Sequence, residues 1–150
     1  MSVPADAPCP CGRLAALDAA AGAASSKSLA LSYARCCGPF IEQFDSCPAP
    51  DAQALMRSRY TAFTLGRWSH VRATWWPERC PAELADMPGT KWLGLEVRSH
   101  RVVDDTRQEV EFVARYRIQG RAVRLHERSR FVRHAGRWWY VDGDDLGMKG

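Results

Sequence analysis

The strongest constraint on the fold is an alternation of hydrophobic and polar residues with a period of two, which begins at Lys91. This spacing turns successive side chains to opposite faces of an extended chain and is typical of half-buried β-strands. Polar turn residues interrupt it at Asp104-Asp105, Gln119-Gly120 and Ala135-Gly136. The pattern therefore predicts four strands, over residues 91–103, 108–118, 121–133 and 137–142, that form an antiparallel meander.

Helical signals precede the strands. Asp51 is a good N-cap for a helix that continues to Leu65, and Gly66 is placed to end it. A second helix is predicted over residues 67–76, before a proline, and a short helical piece over 81–87. Helices followed by a meander indicate an α+β fold, in which the helices cover one face of a curved antiparallel sheet.

Cysteine is distributed unevenly along the chain. Four of the six cysteines form two close pairs, and 24 residues separate the pairs, which are Cys9 with Cys11 and Cys36 with Cys37. In a reducing compartment, paired thiols more often mark a metal than a disulfide, and four thiolates match tetrahedral zinc. Gly12 and Gly38 follow the pairs, and we expect both to adopt left-handed turns. Two alternatives remain, namely metal-free buried thiols and a redox switch that uses one cysteine of each pair.

The chain divides into two predicted parts. Residues 1–50 hold the paired cysteines, an alanine-rich insert over 13–32 and a proline-containing linker, and residues 51–150 hold the α+β domain. The insert is interrupted by glycine and serine, so we expect a fraying helix or a loop. The insert either loops out of an intact zinc site or breaks it.

One strand breaks the expected polarity. Strict alternation in residues 121–133 places Glu127 and Ser129 on the hydrophobic side of the strand. A carboxylate facing a core is costly unless it is paired or hydrogen-bonded. Glu127 therefore forms either a buried ion pair with Arg57 or Arg59, or part of a working pocket. The candidate pocket residues are Glu127, Ser129, Tyr60, Arg59 and Trp75.

The opposite side of the same strand is basic. We name this surface the basic strip, and its residues are Arg124, His126, Arg128 and Arg130. One interpretation is a surface that binds phosphates or docks a partner. The other is a solvated sheet face or a dimer interface. The formal charge of the whole chain is +4, which permits contact with RNA without requiring it. His126 and Glu127 are neighbours in a strand and therefore face opposite sides, which argues against a catalytic dyad.

Several functional classes are not indicated. No stretch of about 18 apolar residues is present, and the first residues lack the basic start and apolar run of a secretory signal, so we expect a cytoplasmic protein with no membrane contact. The sequence contains no Walker loop, Rossmann glycine pattern, nucleophile elbow or zinc-protease motif.

Several segments resemble known families. The small zinc motif at the carboxyl end of the secretion motor SecA resembles two segments of this chain, CPCG at 9–12 and YARCCGP at 33–39. The YchJ family of uncharacterised bacterial proteins resembles two later segments, ALMRSRYTAFTLG at 54–66 and LHERSRFVRHAGRWWYVDG at 125–143. The resemblance implies a nuclear-transport-factor-2-like (cystatin-like) cone preceded by a zinc motif. The implied zinc ligands are Cys9, Cys11, Cys36 and Cys37.

These observations favour a non-enzymatic zinc-binding protein. Four sulfur ligands leave zinc no open position, so the metal would be structural, and the motif would dock a protein or a ribosome-associated partner. The alternative is an enzyme or small-ligand carrier in which Glu127 acts as base or ligand anchor. Domains of the implied superfamily often pair through their sheets, so a homodimer is a further expectation.

Overall fold

The secondary structure is ordered as the alternation and capping signals predict. The computed structural model of the protein describes residues 4–13, 31–82 and 90–147. Its elements are a 3₁₀ turn at Tyr33–Arg35, α1 (Gly38–Glu42), α2 (Ala52–Leu65), α3 (Trp68–Ala73), β1 (Lys91–Asp104), β2 (Arg107–Ile118), β3 (Arg121–His134) and β4 (Arg137–Asp145). Most of the alanine-rich insert and of the helical piece predicted over 81–87 lies outside the described residues.

The four strands form one antiparallel sheet in the order β1-β2-β3-β4, which confirms the predicted meander. The β2–β3 hairpin turns at Gln119 and Gly120, with φ of 52° and 76°. The β3–β4 hairpin turns at Ala135 and Gly136, with φ of 53° and 77°. Positive φ at both central residues defines the turn whose twist matches that of the flanking strands. Both of these predicted turn dipeptides therefore mark real turns.

Helix α2 begins and ends where the sequence predicts. The Asp51 carboxylate accepts a hydrogen bond of 2.8 Å from the backbone N–H of Ala54, which satisfies one free donor of the first turn. Gly66 ends the helix in the left-handed conformation, with φ of 70°. These two residues define the ends of a 14-residue helix that packs against the sheet.

Helix α3 is shorter than the predicted span of 67–76. The chain leaves the helix after Ala73 because the next residues pair with β4. Tyr140 donates its N–H to the carbonyl of Thr74 at 2.8 Å, and Trp76 donates to the carbonyl of Tyr140 at 2.7 Å. Tertiary pairing with a strand thus overrides the local helical preference and directs Trp75 toward β4.

One hydrophobic core lies between α2 and the sheet. It includes Val110, Phe112 and Ala114 from one face of β2, and it is continuous with the four paired cysteines. Val113, on the other face of β2, is also fully buried. Buried residues from before and after position 50 therefore share one cluster. Among the described residues, no helix has the length and apolarity needed to cross a membrane.

Candidate functional site

The two cysteine pairs converge. All four sulfur atoms lie within 4.8 Å of one another, and the four residues are Cys9, Cys11, Cys36 and Cys37. The Sγ atoms of Cys11 and Cys36 are 3.5 Å apart and those of Cys36 and Cys37 are 4.0 Å apart. Both separations far exceed a disulfide bond of about 2.05 Å. Each cysteine is buried, and the two remaining cysteines, Cys47 and Cys80, are only partly buried.

The flanks of the insert hold the pairs together. The N–H of Cys9 donates to the carbonyl of Leu31 at 2.9 Å, and the N–H of Tyr33 donates to the carbonyl of Ala7 at 2.8 Å. A further bridge joins Pro8 and Ser32. This short antiparallel pairing closes the base of the insert, so the 24 residues between the pairs do not separate the sulfurs.

The two glycines after the pairs differ. Gly12 has φ of 75°, as predicted. The same expectation is wrong for Gly38, which begins α1 and is required for another reason. A Cβ atom at Gly38 would lie 2.6 Å from the carbonyl oxygen of Tyr33, so only glycine permits this close approach.

Helix α2 supplies polar partners for the cysteines. Nη1 of Arg57 donates to the carbonyl of Cys11 at 3.2 Å and lies 3.7 Å from its sulfur. One turn further on, Oγ1 of Thr61 lies 3.7 Å from Sγ of Cys9. The sequence suggested Arg57 as a partner of Glu127, and that interpretation is wrong because the side chain points to the cysteine cluster. Groups of this kind orient metal ligands and offset the charge of a thiolate site.

The four thiols shift one another's pKa values. Hydrogen bonding with Cys11 lowers the pKa of Cys9, whereas hydrogen bonding with Cys11 and burial raise the pKa of Cys36 and Cys37. Without a counter-charge, four neighbouring buried thiols cannot all ionise. A divalent cation removes this conflict because it binds the thiolate form of each ligand.

The geometry fits zinc. Zn–S bonds of about 2.3 Å in a tetrahedron place sulfur atoms about 3.8 Å apart. The two sulfur distances given above, 3.5 and 4.0 Å, lie on either side of that value. Four cysteines would fill every tetrahedral position, which is the arrangement of a structural site rather than a catalytic one.

A second feature is a cavity of about 230 Å³ between α2 and the sheet. All five residues of the candidate pocket line it, namely Glu127, Ser129, Tyr60, Arg59 and Trp75. Met56 and Phe63 contribute from the same face of α2. Aromatic rings from all four strands also line it, namely Trp92, Phe112, Phe131 and Tyr140.

Glu127 is held by hydroxyl groups and not by an arginine. Its Oε2 accepts hydrogen bonds from Ser129 Oγ at 2.7 Å and from the Tyr140 hydroxyl at 3.0 Å. Burial raises the pKa of Tyr140, which keeps this hydroxyl protonated as a donor. Within the described residues, neither arginine proposed from the sequence lies within 4.0 Å of the carboxylate, so the predicted ion pair is wrong.

Arg59 is buried beside the cavity. Its Nη1 donates to the carbonyl of Val71 at 2.9 Å and to Oγ1 of Thr74 at 2.8 Å. The guanidinium carbon lies 4.9 Å from the ring centre of Trp75 and 4.4 Å from that of Tyr140. These contacts hold the cation by ring faces and neutral oxygens.

The basic strip is largely neutralised within the sheet. Arg130 pairs with Asp142 at 2.6 Å and with Asp144 at 2.8 Å. His126 contacts Glu111 at 2.7 Å, and Arg128 lies 3.8 Å from the same carboxylate. Arg124 is exposed. This pattern is that of a solvated sheet face and does not favour RNA binding.

Sequence reasoning missed two residues of the cavity region. The sequence pattern predicts only a strand position for Tyr140, although its hydroxyl donates to Glu127 and its ring lies beside Arg59. Gly143 lies beyond the predicted end of the fourth strand, yet a Cβ atom there would overlap the Glu127 carboxylate. A glycine inside a strand is itself a signal for close approach of another group.

Fold and site together define a small α+β protein in which a four-cysteine cluster packs on a helix-covered antiparallel sheet. The model of a known family, described as "YchJ, middle NTF2-like domain", matches residues 51–143. The chain is also 58% identical over 139 residues to a UPF0225 protein of Polaromonas naphthalenivorans, covering 93% of this chain and 98% of that one. The chain therefore belongs to the YchJ-like family, which confirms the resemblance seen in the sequence.

Two solved structures are similar. A SEC-C motif containing protein from Rhodopseudomonas palustris is 33% identical, with a TM-score of 0.70, and the match covers 79% of this chain and 94% of that chain. A SEC-C motif containing protein from Psychrobacter arcticus is 26% identical, with a TM-score of 0.68, covering 95% and 85%. Both combine a fold like this one with a motif of the predicted kind.

Proposed function

We propose that the protein is a non-enzymatic zinc-binding protein in which one structural Zn²⁺ joins the two cysteine pairs. The observation that carries this proposal is the convergence of four buried sulfur atoms within 4.8 Å of one another. The SEC-C motif proteins of similar fold support it. In the reducing cytosol, where we place the protein, such thiols remain available to metal.

The metal would supply a cross-link between segments that have little secondary structure. Residues 4–13 contain no helix, and residues 31–42 contain one 3₁₀ turn and the five-residue α1. Structural zinc contributes on the order of 10 kcal/mol to the folding of small modules. Cys9, Cys11, Cys36 and Cys37 would hold the ion as thiolates, and Arg57 would offset part of the negative charge.

Elemental analysis of protein purified under reducing conditions tests this proposal. We expect one zinc per chain, and Co²⁺ exchange should give the charge-transfer bands of four thiolate ligands. Cys37→Ser should lose the metal, whereas the matched variant Cys47→Ser, outside the cluster, should retain it. Metal-free protein that folds normally would overturn the proposal.

The interaction role predicted from the sequence stays a prediction. A protein or ribosome-associated partner would bind the outer surface of the zinc-stabilised segment, because the cysteines themselves are buried against α2. The predicted homodimer would use the sheet, on which Leu93, Val102 and Val103 are exposed.

A second candidate function is small-ligand binding in the cavity. It is favoured by the finding that Glu127 lines an open volume and has no arginine partner among the described residues. A cavity between α2 and the sheet is what a cone of the implied family, in which the sheet curves around the helices, would enclose. We favour binding over catalysis because Glu127 is held by hydroxyl groups and Arg59 by ring faces, which is an arrangement suited to gripping a ligand.

A further inference from the structure

We propose that the cavity binds a small monocarboxylate, about one aromatic ring in size, whose carboxylate lies on the free edge of the Arg59 guanidinium. This inference rests on the second candidate function and names its ligand class. Four observations carry it: the state of Arg59, the geometry of its free edge, the size of the cavity and the position of Glu127.

Arg59 is a buried cation without an acidic partner. Only 6% of the residue is exposed, and within the described residues no carboxylate oxygen lies within 4.0 Å of its nitrogens. Burial lowers the pKa of Arg59 to about 10, so it still carries its charge at neutral pH. A buried charge without a partner of opposite sign is costly, and a bound anion would remove that cost. An anionic ligand therefore has more to gain here than a neutral one.

The contacts of Arg59 leave one edge for a ligand. Nη1 is occupied by Val71 and Thr74, and the rings of Trp75 and Tyr140 lie 4.9 and 4.4 Å from the guanidinium carbon. Nε and Nη2 have no partner in the described part of the chain. These two nitrogens form an edge whose N–H groups match the two oxygens of a carboxylate. A ligand group that lies in the plane of the guanidinium can accept from both nitrogens, which favours a planar carboxylate.

The size and lining of the cavity limit the rest of the ligand. A volume of about 230 Å³ exceeds the roughly 150 Å³ in which an engineered protein cavity holds benzene. It is smaller than the 300–1,000 Å³ or so of pockets for larger ligands. The walls carry aromatic side chains, including Phe63, Trp92 and Phe112. One substituted ring, or an aliphatic group of equal size, fits this space.

Glu127 limits the charge of the ligand and favours a hydrogen-bond donor on it. Its Oε2 is used by Ser129 and Tyr140, while Oε1 has no hydrogen-bond partner in the described part of the chain. This oxygen accepts a donor and repels a second anion. Two hydroxyl donors already stabilise Glu127, whereas Arg59 meets only neutral oxygens and rings. The ligand should therefore be a monoanion, and a hydroxyl group directed at Glu127 should strengthen its binding.

Three probes of nearly equal shape separate the charge requirement from simple burial of a ring. We would titrate the full-length protein with benzoate, benzamide and benzamidine and follow the indole N–H signals of Trp75 and Trp92 by NMR. We expect benzoate to bind at least tenfold more tightly than benzamide, and benzamidine to bind most weakly. A hydroxybenzoate should bind more tightly than benzoate.

Variants locate the anion. Arg59→Lys loses the two-nitrogen edge and should lower benzoate affinity at least tenfold, while Arg72→Lys, an exposed arginine on α3, should not change it. If Arg59→Lys does not fold, the probe series on the unmodified chain decides. Tighter binding of benzamide or benzamidine at the two tryptophans would overturn the carboxylate assignment alone. No response to any probe would overturn both this assignment and the second candidate function.

Discussion

His70 shows how one buried side chain couples the fold to pH. Its Nε2 lies 2.9 Å from Oγ of Ser58, and that hydroxyl donates to the carbonyl of Leu55 at 2.8 Å. The hydroxyl proton is therefore used, and Nε2 of the ring must carry the hydrogen. Nδ1 is buried with no partner in the described part of the chain. A proton added there would have no acceptor, so the ring is held neutral.

We predict that acidification destabilises the protein through His70. Burial, with the positive charges of Arg59 and Arg67, lowers the pKa of His70 from 6.5 to about 4. Between pH 6.5 and about pH 4, His70 binds a proton in the unfolded chain but not in the folded chain. The free energy of unfolding therefore keeps its full value above about pH 6.5 and declines as the pH falls toward 4. The full shift corresponds to about 3 kcal/mol. Urea unfolding between pH 7 and pH 4 measures the change.

A matched pair of variants isolates this histidine from the carboxylates that titrate in the same range. His70→Gln should flatten the dependence of the free energy of unfolding on pH, while His134→Gln, at an exposed position, should leave it unchanged. Equal slopes for His70→Gln and the unmodified chain would contradict the assignment.

Gly143 supports a prediction about the position of Glu127. A methyl group at residue 143 would overlap the carboxylate, which is the end of a flexible side chain and can move. Gly143→Ala should therefore displace Glu127 from Ser129 and Tyr140 and, because the buried Ser129 loses its partner, lower the free energy of unfolding by about 1–3 kcal/mol. A crystal structure and thermal unfolding of the variant give both quantities. Gly94→Ala, where the added carbon meets nothing within 4 Å, is the control, and an unmoved Glu127 would refute the prediction.

At the scale of elements, local signals predicted most of the structure. Capping residues gave both ends of α2, and the alternation gave β1, β2 and β3 to within one residue at each end. These signals suffice where a strand has one buried face, because a slip of one residue would expose its hydrophobic set.

Elements that depend on distant pairing were not predictable. The register of β3 and β4 shifts between Arg130 and Phe131, which pair with Asp142 and Tyr140. The extra residue on β4 lets Tyr140 and Gly143 lie on the same side of the sheet, beneath Glu127. Strict alternation cannot reveal such a shift, and it therefore concealed Tyr140, which donates to Glu127, and Gly143, which leaves space for its carboxylate. The cysteine cluster was predicted by residue type and spacing, but its contacts with α2 needed the fold.

The N-cap of α2 supports a prediction at the same scale. Asp51→Ala removes the hydrogen bond to the N–H of Ala54 and should lower the free energy of unfolding by about 1 kcal/mol. Asp51→Asn keeps an oxygen in the same place and should recover most of the loss. Urea unfolding of the two variants checks this, and equal losses in both would show that the negative charge, and not the hydrogen bond, stabilises the helix.

At the scale of the whole molecule, the cysteine cluster and the domain after residue 50 share one hydrophobic core. Helix α2 faces both functional features, with Arg57 and Thr61 toward the cysteines and Arg59 and Tyr60 toward the cavity. Loss of order at the cysteines would therefore expose one side of α2 while leaving the four-stranded sheet intact.

This arrangement predicts the response to metal removal. A strong zinc chelator under reducing conditions should raise hydrogen exchange first in residues 4–13 and 31–42, and next on α2, while β2 and β3 stay protected because their ladder does not involve the cysteines. The Tm should fall, since an ion that binds only the folded state contributes its binding free energy to stability. Cys80→Ser, outside the cluster, should behave like the unmodified chain, whereas Cys11→Ser should show the chelated pattern before any chelator is added. Uniform exchange across the sheet after chelation would mean that the metal stabilises the entire domain and not the amino-terminal segment with its helix.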